Sequence, residues 1–145
     1  MNRDEIKQML PHREPMLLVD EMEMDENGYV HGKYLVKGDE FFLQGHYPGH
    51  PVVPGVILCE IMGQSSSMLM QKELEGKTPF FTGIDKTRFK NSVYPGDLVE
   101  VTAKITMNRG MLYFITAKAC VGDKVCVEAV LSFALIENEK LKERH

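Results

Sequence analysis

With 145 residues, 43% of them hydrophobic and 26% charged, the chain is long enough to enclose one core and has no linker-like stretch to divide it, so one domain over residues 1–145 is expected. Seventeen Lys and Arg against 21 Asp and Glu give a formal net charge of -4, which excludes recruitment of nucleic acid or anionic membrane by the field of the whole molecule. The longest apolar run, Val52 to Met62, is broken by Pro54, Gly55 and Glu60, and MNRDEIKQML at the N-terminus is too charged for a signal peptide, so a soluble, cytoplasmic chain without membrane insertion is expected. Cys59, Cys120 and Cys126 lie in apolar segments without a C-x-x-C pair, which reads as reduced core thiols; no metal site and no cofactor are expected.

In chain order, MLLVDEMEM (Met16 to Met24) starts apolar and then alternates, and YVHGKYLVK (Tyr29 to Lys37) follows across the turn-forming DENG, which predicts a β-hairpin. GDEFFLQGH predicts a short helical turn. From Gly55 to about Leu74 apolar residues, among them Val56, Leu58, Ile61, Met62 and Met70, lie almost all round a helical wheel, which predicts a helix buried on most sides. FFTGIDKTRF, LVEVTAKITM, MLYFITAKACV and VCVEAVLSFALIE then read as strands separated by the turn signals YPGD, NRG and GDK. One core helix followed by an antiparallel meander predicts an α+β fold, the helix packed on one face of a curled sheet. The charged tail ENEKLKERH is expected to fray.

The segment with chemical promise is GHYPGHPVVPGVILCEIMGQ, Gly45 to Gln64. Pro48, Pro51 and Pro54 recur at every third residue, which predicts an extended, stiff loop from His46 to Val53 that stops at a helix. Pro54 and Gly55 occupy the helix start, where the Gly55 N–H lacks an intrahelical partner and suits developing negative charge. Glu60 follows about 7.5 Å along the axis, with Gln64 and Ser67 on the same side as a narrow polar stripe. It is the only formal charge between Gly55 and Gln71, so a solvated face explains it poorly, and a carboxylate in such apolar surroundings needs a partner.

Both His46 and His50 are candidates for that acid–base chemistry, and spacing does not separate them. His12 in LPHREP and His31 in YVHGKY have no acid and proline framework beside them and read as structural or surface residues. Lys86, Arg88 and Lys90 in GIDKTRFK form a local positive cluster, suited to an acidic partner as well as to a solvated strand face. Tyr94 in NSVYPGD is a candidate gate as well as an ordinary turn tyrosine.

These segments together resemble the β-hydroxyacyl-acyl carrier protein dehydratases of type II fatty acid synthesis. LPHREPMLLVDEM is similar to the family's opening segment, GHYPGHPVVPGVILCEIMGQ to its active-site loop and central helix, and FTGIDKTRFKNSVYPGDLVEV to the strand and turn that follow. The resemblance implies the hot-dog fold and places the family's catalytic histidine on His46 and its helix carboxylate on Glu60, fourteen residues later. The reaction implied is elimination of water from a (3R)-3-hydroxyacyl thioester carried by acyl carrier protein. With that reaction in view, Pro54 and Gly55 at the helix start are expected at the substrate carbonyl, and Gln64 is expected to bind substrate or to hold Glu60 or a water in place. The implied assembly is a homodimer with sites at the subunit interface, joined as a trimer of dimers. EIMGQ departs from the more usual E-A-M-A-Q at Ile61 and Gly63, and Tyr47 stands where Phe is commoner. Two rival readings share the architecture: an acyl thioesterase, and a catalytically silent acyl-binding subunit.

Overall fold

A computed structural model describes residues 1–143. It begins with a helix absent from the expected elements, α1 (Arg3–Met9). Asn2 accepts a hydrogen bond from the Glu5 N–H while the Glu5 carboxylate accepts one from the Asn2 N–H, and Ile6 anchors the turn in the core. That reciprocal cap satisfies two end groups that a helix this short would otherwise leave bare, and the N-x-x-E spacing was its signal in the sequence.

The predicted hairpin is present but shorter: β1 (Glu21–Met24) pairs with β2 (Val30–Leu35), Glu21 opposite Lys33 and Met24 opposite Val30. Leu17, Leu18 and Val19 do not join it. Three consecutive apolar residues cannot alternate between a wet and a dry face, and all three are buried where the chain crosses the central helix. A single 3-10 turn at Phe41–Leu43 matches the expected helical turn.

The central helix α2 runs over Gly55–Ser65 and then tightens into a 3-10 segment, Ser66–Met70, short of the expected Leu74. The serines account for the change. Ser66 Oγ donates to Met62 O at 2.7 Å and Ser67 Oγ to Gln64 O at 2.6 Å, so hydroxyls compete for the carbonyls that would have continued the α-helical ladder.

The meander follows as β3 (Lys77–Phe89), β4 (Leu98–Arg109), β5 (Leu112–Val121) and β6 (Lys124–Glu137). Where the tail was expected to fray, α3 (Asn138–Lys142) forms one short turn; Arg144 and His145 of that tail lie outside the described residues. All six strands make one antiparallel sheet in the order β1-β2-β4-β5-β6-β3. It wraps α2, which contacts β2, β4, β5 and β6, and Leu58, Ile61 and Met62 fill the space against Val99, Ile115 and Leu131. β3 forms one edge, which is why Pro79 is tolerated within it, and β-bulges interrupt its pairing between Phe81 and Gly83 and between Asp85 and Arg88.

Helix and sheet approach closely where Gly32 of β2 meets Ser65 of α2. A Cβ on residue 32 would lie 2.5 Å from Ser65 Oγ and 2.6 Å from Ser65 Cβ, and since Cβ does not move with the rotamer, the backbone on one side would have to shift. Gly32→Ala is therefore expected to lower stability by about 1–3 kcal/mol through overpacking, read as a lower midpoint in urea at fixed protein concentration. Part of the loss should return in the Gly32→Ala, Ser65→Gly double variant, and an unchanged midpoint in the single variant would contradict the packing described.

Candidate active site

The loop that carries His46 is not the extended segment expected. Tyr47 has φ 57° between Gly45 at 79° and Gly49 at 88°, and the His50 N–H donates to Tyr47 O at 2.8 Å, so residues 45–50 coil into tight turns. Glycines on both sides admit the left-handed conformation, whereas the prolines constrain only their own φ and the residue before them. Past His50 the turns end, and the Val53 N–H donates to Val93 O at 2.8 Å, tying the far end of the loop down.

This turn brings His46 Nδ1 to 2.8 Å from Val52 O. A carbonyl oxygen can only accept, so Nδ1 carries the hydrogen and Nε2 is left with a free lone pair. The Tyr47 ring, 4.3 Å away centroid to centroid, limits rotation of the imidazole. His50 is exposed, and its side chain makes no hydrogen bond among the described residues. The geometry thus distinguishes two histidines that spacing could not.

Glu60 projects from the middle of α2 and is paired, not isolated. The Gln64 side chain, one turn on and 3% exposed, donates from Nε2 to Glu60 Oε2 at 2.7 Å and to Met16 O at 2.8 Å, while its Oε1 accepts from the Leu18 N–H at 2.8 Å. One amide therefore holds the carboxylate and staples the crossing segment to the helix.

That segment also brings a histidine to Glu60. His12 Nε2 lies 3.4 Å from Glu60 Oε2, so the histidine read as structural or surface, without a nearby acid, does have an acid beside it. No local pattern announces it, because 48 residues separate the two and the contact exists only once the N-terminal segment lies across α2. Arg3 donates to Asp20 Oδ1 at 2.7 Å and to Glu14 Oε2 at 3.0 Å, and Lys7 meets Glu14 Oε1 at 2.9 Å. Lys7, with Arg3 adding to it, holds the Glu14 carboxyl down to about 2.

At the start of α2, Pro54 O accepts from the N–H groups of Ile57 and Leu58, and no hydrogen bond among the described residues takes up the Gly55 N–H. The Phe89 ring packs so closely there that a Cβ on Gly55 would lie 2.7 Å from it. A space of about 60 Å³ opens beside Glu60, walled by His12, Gln64, Met70, Phe81 and Phe133. Phe81 and Phe133 stack at 4.5 Å, and Phe81 Cζ would lie 2.6 Å from a Cβ on Gly63, so glycine here makes room for the ring. A larger groove of about 610 Å³, between α1 and residues 71–78, holds none of the predicted site residues.

The remaining candidates stand apart from this centre. Lys90 pairs with Glu128 at 3.0 Å, which leaves Lys86, on the β3 bulge at φ 52°, and Arg88 exposed and without an ion pair among the described residues. Tyr94 is 53% exposed in a turn closed by Asp97. His31, expected to lack a nearby acid, meets Asp25 Oδ2 at 2.8 Å, and that bond holds the Asp25 carboxyl below its ordinary range. Among the described residues no hydrogen bond or ion pair joins the His46 cluster to the Glu60 cluster within one chain.

Residues 10–130 match the FabA-like domain family. The 3-hydroxyacyl-[acyl-carrier-protein] dehydratase FabZ of Clostridium perfringens (strain SM101 / Type A) is 43% identical over 137 residues, 93% of this chain and 99% of that protein. The FabZ dehydratase of Macrococcus caseolyticus is 44% identical over 137 residues, 92% and 94% of the two chains. Among solved structures, the dehydratase heterocomplex ApeI:P from Xenorhabdus doucetiae aligns with a TM-score of 0.79 at 19% identity, over 96% of this chain and 95% of that one. The fluoroacetyl-CoA thioesterase FlK aligns with a TM-score of 0.70 at 20% identity, over 86% and 96%. Both structures show the same architecture, and the curled sheet around α2 is the hot-dog fold that was expected.

Replacing Gln64 by Leu removes three hydrogen bonds and leaves the buried Leu18 N–H without a partner. Gln64→Leu is expected to lose about 1–3 kcal/mol of stability for that orphaned group, measured by chemical denaturation. An unchanged midpoint would show that the amide does not hold the crossing segment.

Proposed function

The chain belongs to the FabA-like domain family, and on that premise we propose that residues 1–145 form one (3R)-3-hydroxyacyl-acyl carrier protein dehydratase domain of fatty acid biosynthesis. The observation that carries this reading is the imidazole of His46, whose Nδ1–H is engaged by Val52 O and whose Nε2 is bare. A base presented in this way can take the α-proton of an acyl thioester, provided the thioester carbonyl is polarised as the proton leaves. The Gly55 N–H, with the positive end of α2 behind it, is suited to the enolate-like oxygen, and Pro54 sets the turn that exposes it. The β-hydroxyl departs as water, taking up its proton within the His46–Glu60 pair, and the thioester keeps its sulfur. Gln64 holds Glu60 in place.

A second copy completes the site. His46 and Glu60 make no contact network with each other inside one chain, and β3 presents an unpaired edge on which Phe80, Phe81, Ile84 and Phe89 are exposed. Val56, in the first turn of α2, is 74% exposed. An apolar edge strand beside an apolar helix end supports pairing with another copy of the chain. In this homodimer the His46 of one chain serves the Glu60 of the other, and dimers join in threes. No helix among the described residues is long and apolar enough to cross a membrane, and the likeness to the FabZ dehydratases supports a cytoplasmic enzyme. Lys86 and Arg88, with Lys90 partly neutralised by Glu128, form the surface offered to the acidic carrier protein, and Tyr94, exposed in its turn, is kept as the gate residue.

Two experiments test this reading. Enoyl absorbance and free thiol are followed together with 3-hydroxybutyryl and crotonyl thioesters. Reversible hydration without thiol release is expected, reduced about 100- to 10,000-fold in His46→Ala and Glu60→Gln. Thiol release without enoyl change would make the protein a thioesterase, and silence in both channels from a folded protein would make it an acyl-binding subunit. Reversing the charge of Lys86 and Arg88 is expected to raise KM for carrier-bound substrate and flatten its salt dependence while leaving a small soluble thioester unaffected. Unchanged values for the carrier-bound substrate would remove that surface from the reading.

A further inference from the structure

We propose that His12 is a positioning residue for Glu60, donating its Nε2–H to the carboxylate so that His12 and Gln64 together hold one oxygen and leave the other for substrate. The proposal rests on the dehydratase reading above. Both donors converge on Oε2, Gln64 Nε2 at 2.7 Å and His12 Nε2 at 3.4 Å, and no hydrogen bond among the described residues engages Oε1. The two partners are similarly sheltered, with side chains 26% and 24% exposed, and both line the space of about 60 Å³ beside the helix.

The tautomer follows from the other ring nitrogen. His12 Nδ1 is buried without a hydrogen-bond partner. A hydrogen placed there meets no acceptor, whereas one on Nε2 points to a carboxylate, so the neutral ring carries it on Nε2. The backbone around the ring is held firmly: the Arg13 guanidinium donates to the carbonyls of Leu10 at 2.8 Å, His12 at 2.7 Å and Lys7 at 3.0 Å. Four residues further on, Gln64 grips the Met16 carbonyl. A separation of 3.4 Å is slightly longer than a formed N–H···O bond, and contacts of this kind tighten when a site is loaded. With Oε2 held from two directions the carboxyl group cannot turn, and Oε1 stays directed to the departing hydroxyl.

Three variants separate a donor from a space-filler. His12→Gln places an N–H near the position of Nε2, His12→Asn places one near Nδ1, and His12→Phe fills the space with neither. Crotonyl thioester hydration is measured for each beside the wild type, with thermal midpoint and assembly recorded as controls. His12→Phe and His12→Asn should lose kcat about 10- to 100-fold with KM essentially unchanged, and His12→Gln should recover most of the loss. Wild-type kcat in His12→Phe would overturn the proposal, as would a His12→Gln variant no better than the other two, since the ring would then act only by packing. A wild-type protein that hydrates no enoyl thioester would overturn the dehydratase reading and this proposal with it, a result told apart from the others by the wild-type trace alone.

Discussion

The site depends on one buried amide. Gln64 uses both Nε2 hydrogens and its Oε1 at once, and each bond has a different consequence: one orients Glu60, one fixes the Met16 carbonyl and one satisfies the Leu18 N–H. Because the amide is saturated, it cannot rotate without leaving a polar group bare in the core, which makes it a rigid coupling between α2 and the N-terminal segment. Everything that approaches Glu60 from that side, His12 included, is placed relative to this amide.

The helix can carry a carboxylate at its centre only because its surroundings are arranged for it. Around Glu60 the surface of α2 is closed by Leu58, Cys59, Ile61 and Met62, all buried, and the sheet curls over them. An unpartnered carboxylate at this point would be costly, and the partners here are the Gln64 amide and the His12 imidazole, with no Lys or Arg paired to Glu60 among the described residues. The lysines and arginines of the N-terminal segment, Arg3, Lys7 and Arg13, are spent on Glu14, Asp20 and backbone carbonyls. Their part is to shape the strap that crosses the helix, and Glu60 is spared a full opposite charge.

Much of this was legible in the sequence, and the omissions have common physical causes. The core helix, the four long strands and the pairing of Glu60 with Gln64 followed from periodicity and from i, i+4 spacing, both properties of one segment at a time. Three features depend on which of several competing influences wins, a distant partner in the first and neighbouring residues in the other two, and these escaped. Leu17 to Val19 read as strand, yet the Leu18 N–H is claimed by Gln64 and the carbonyls of Leu17 and Val19 by Arg3. The helix end read as Leu74, yet serine hydroxyls took carbonyls from the ladder. The loop at His46 read as extended from its prolines, yet its glycines decided the turn. His12 belongs to the same class, being adjacent to Glu60 in space and remote from it along the chain. α1 is the one feature whose local signal, the Asn2 and Glu5 cap, was there to be read.

Gly63 and Phe81 occupy a single volume between them: the ring fills what a methyl group at position 63 would need. The two positions are therefore not free to drift separately. A lineage that acquired alanine at 63 would first have to reorient or shrink the residue at 81, and that change would unstack Phe133 and reshape the wall of the space beside Glu60. In that respect the identity of a residue on an edge strand decides which substitutions α2 can accept.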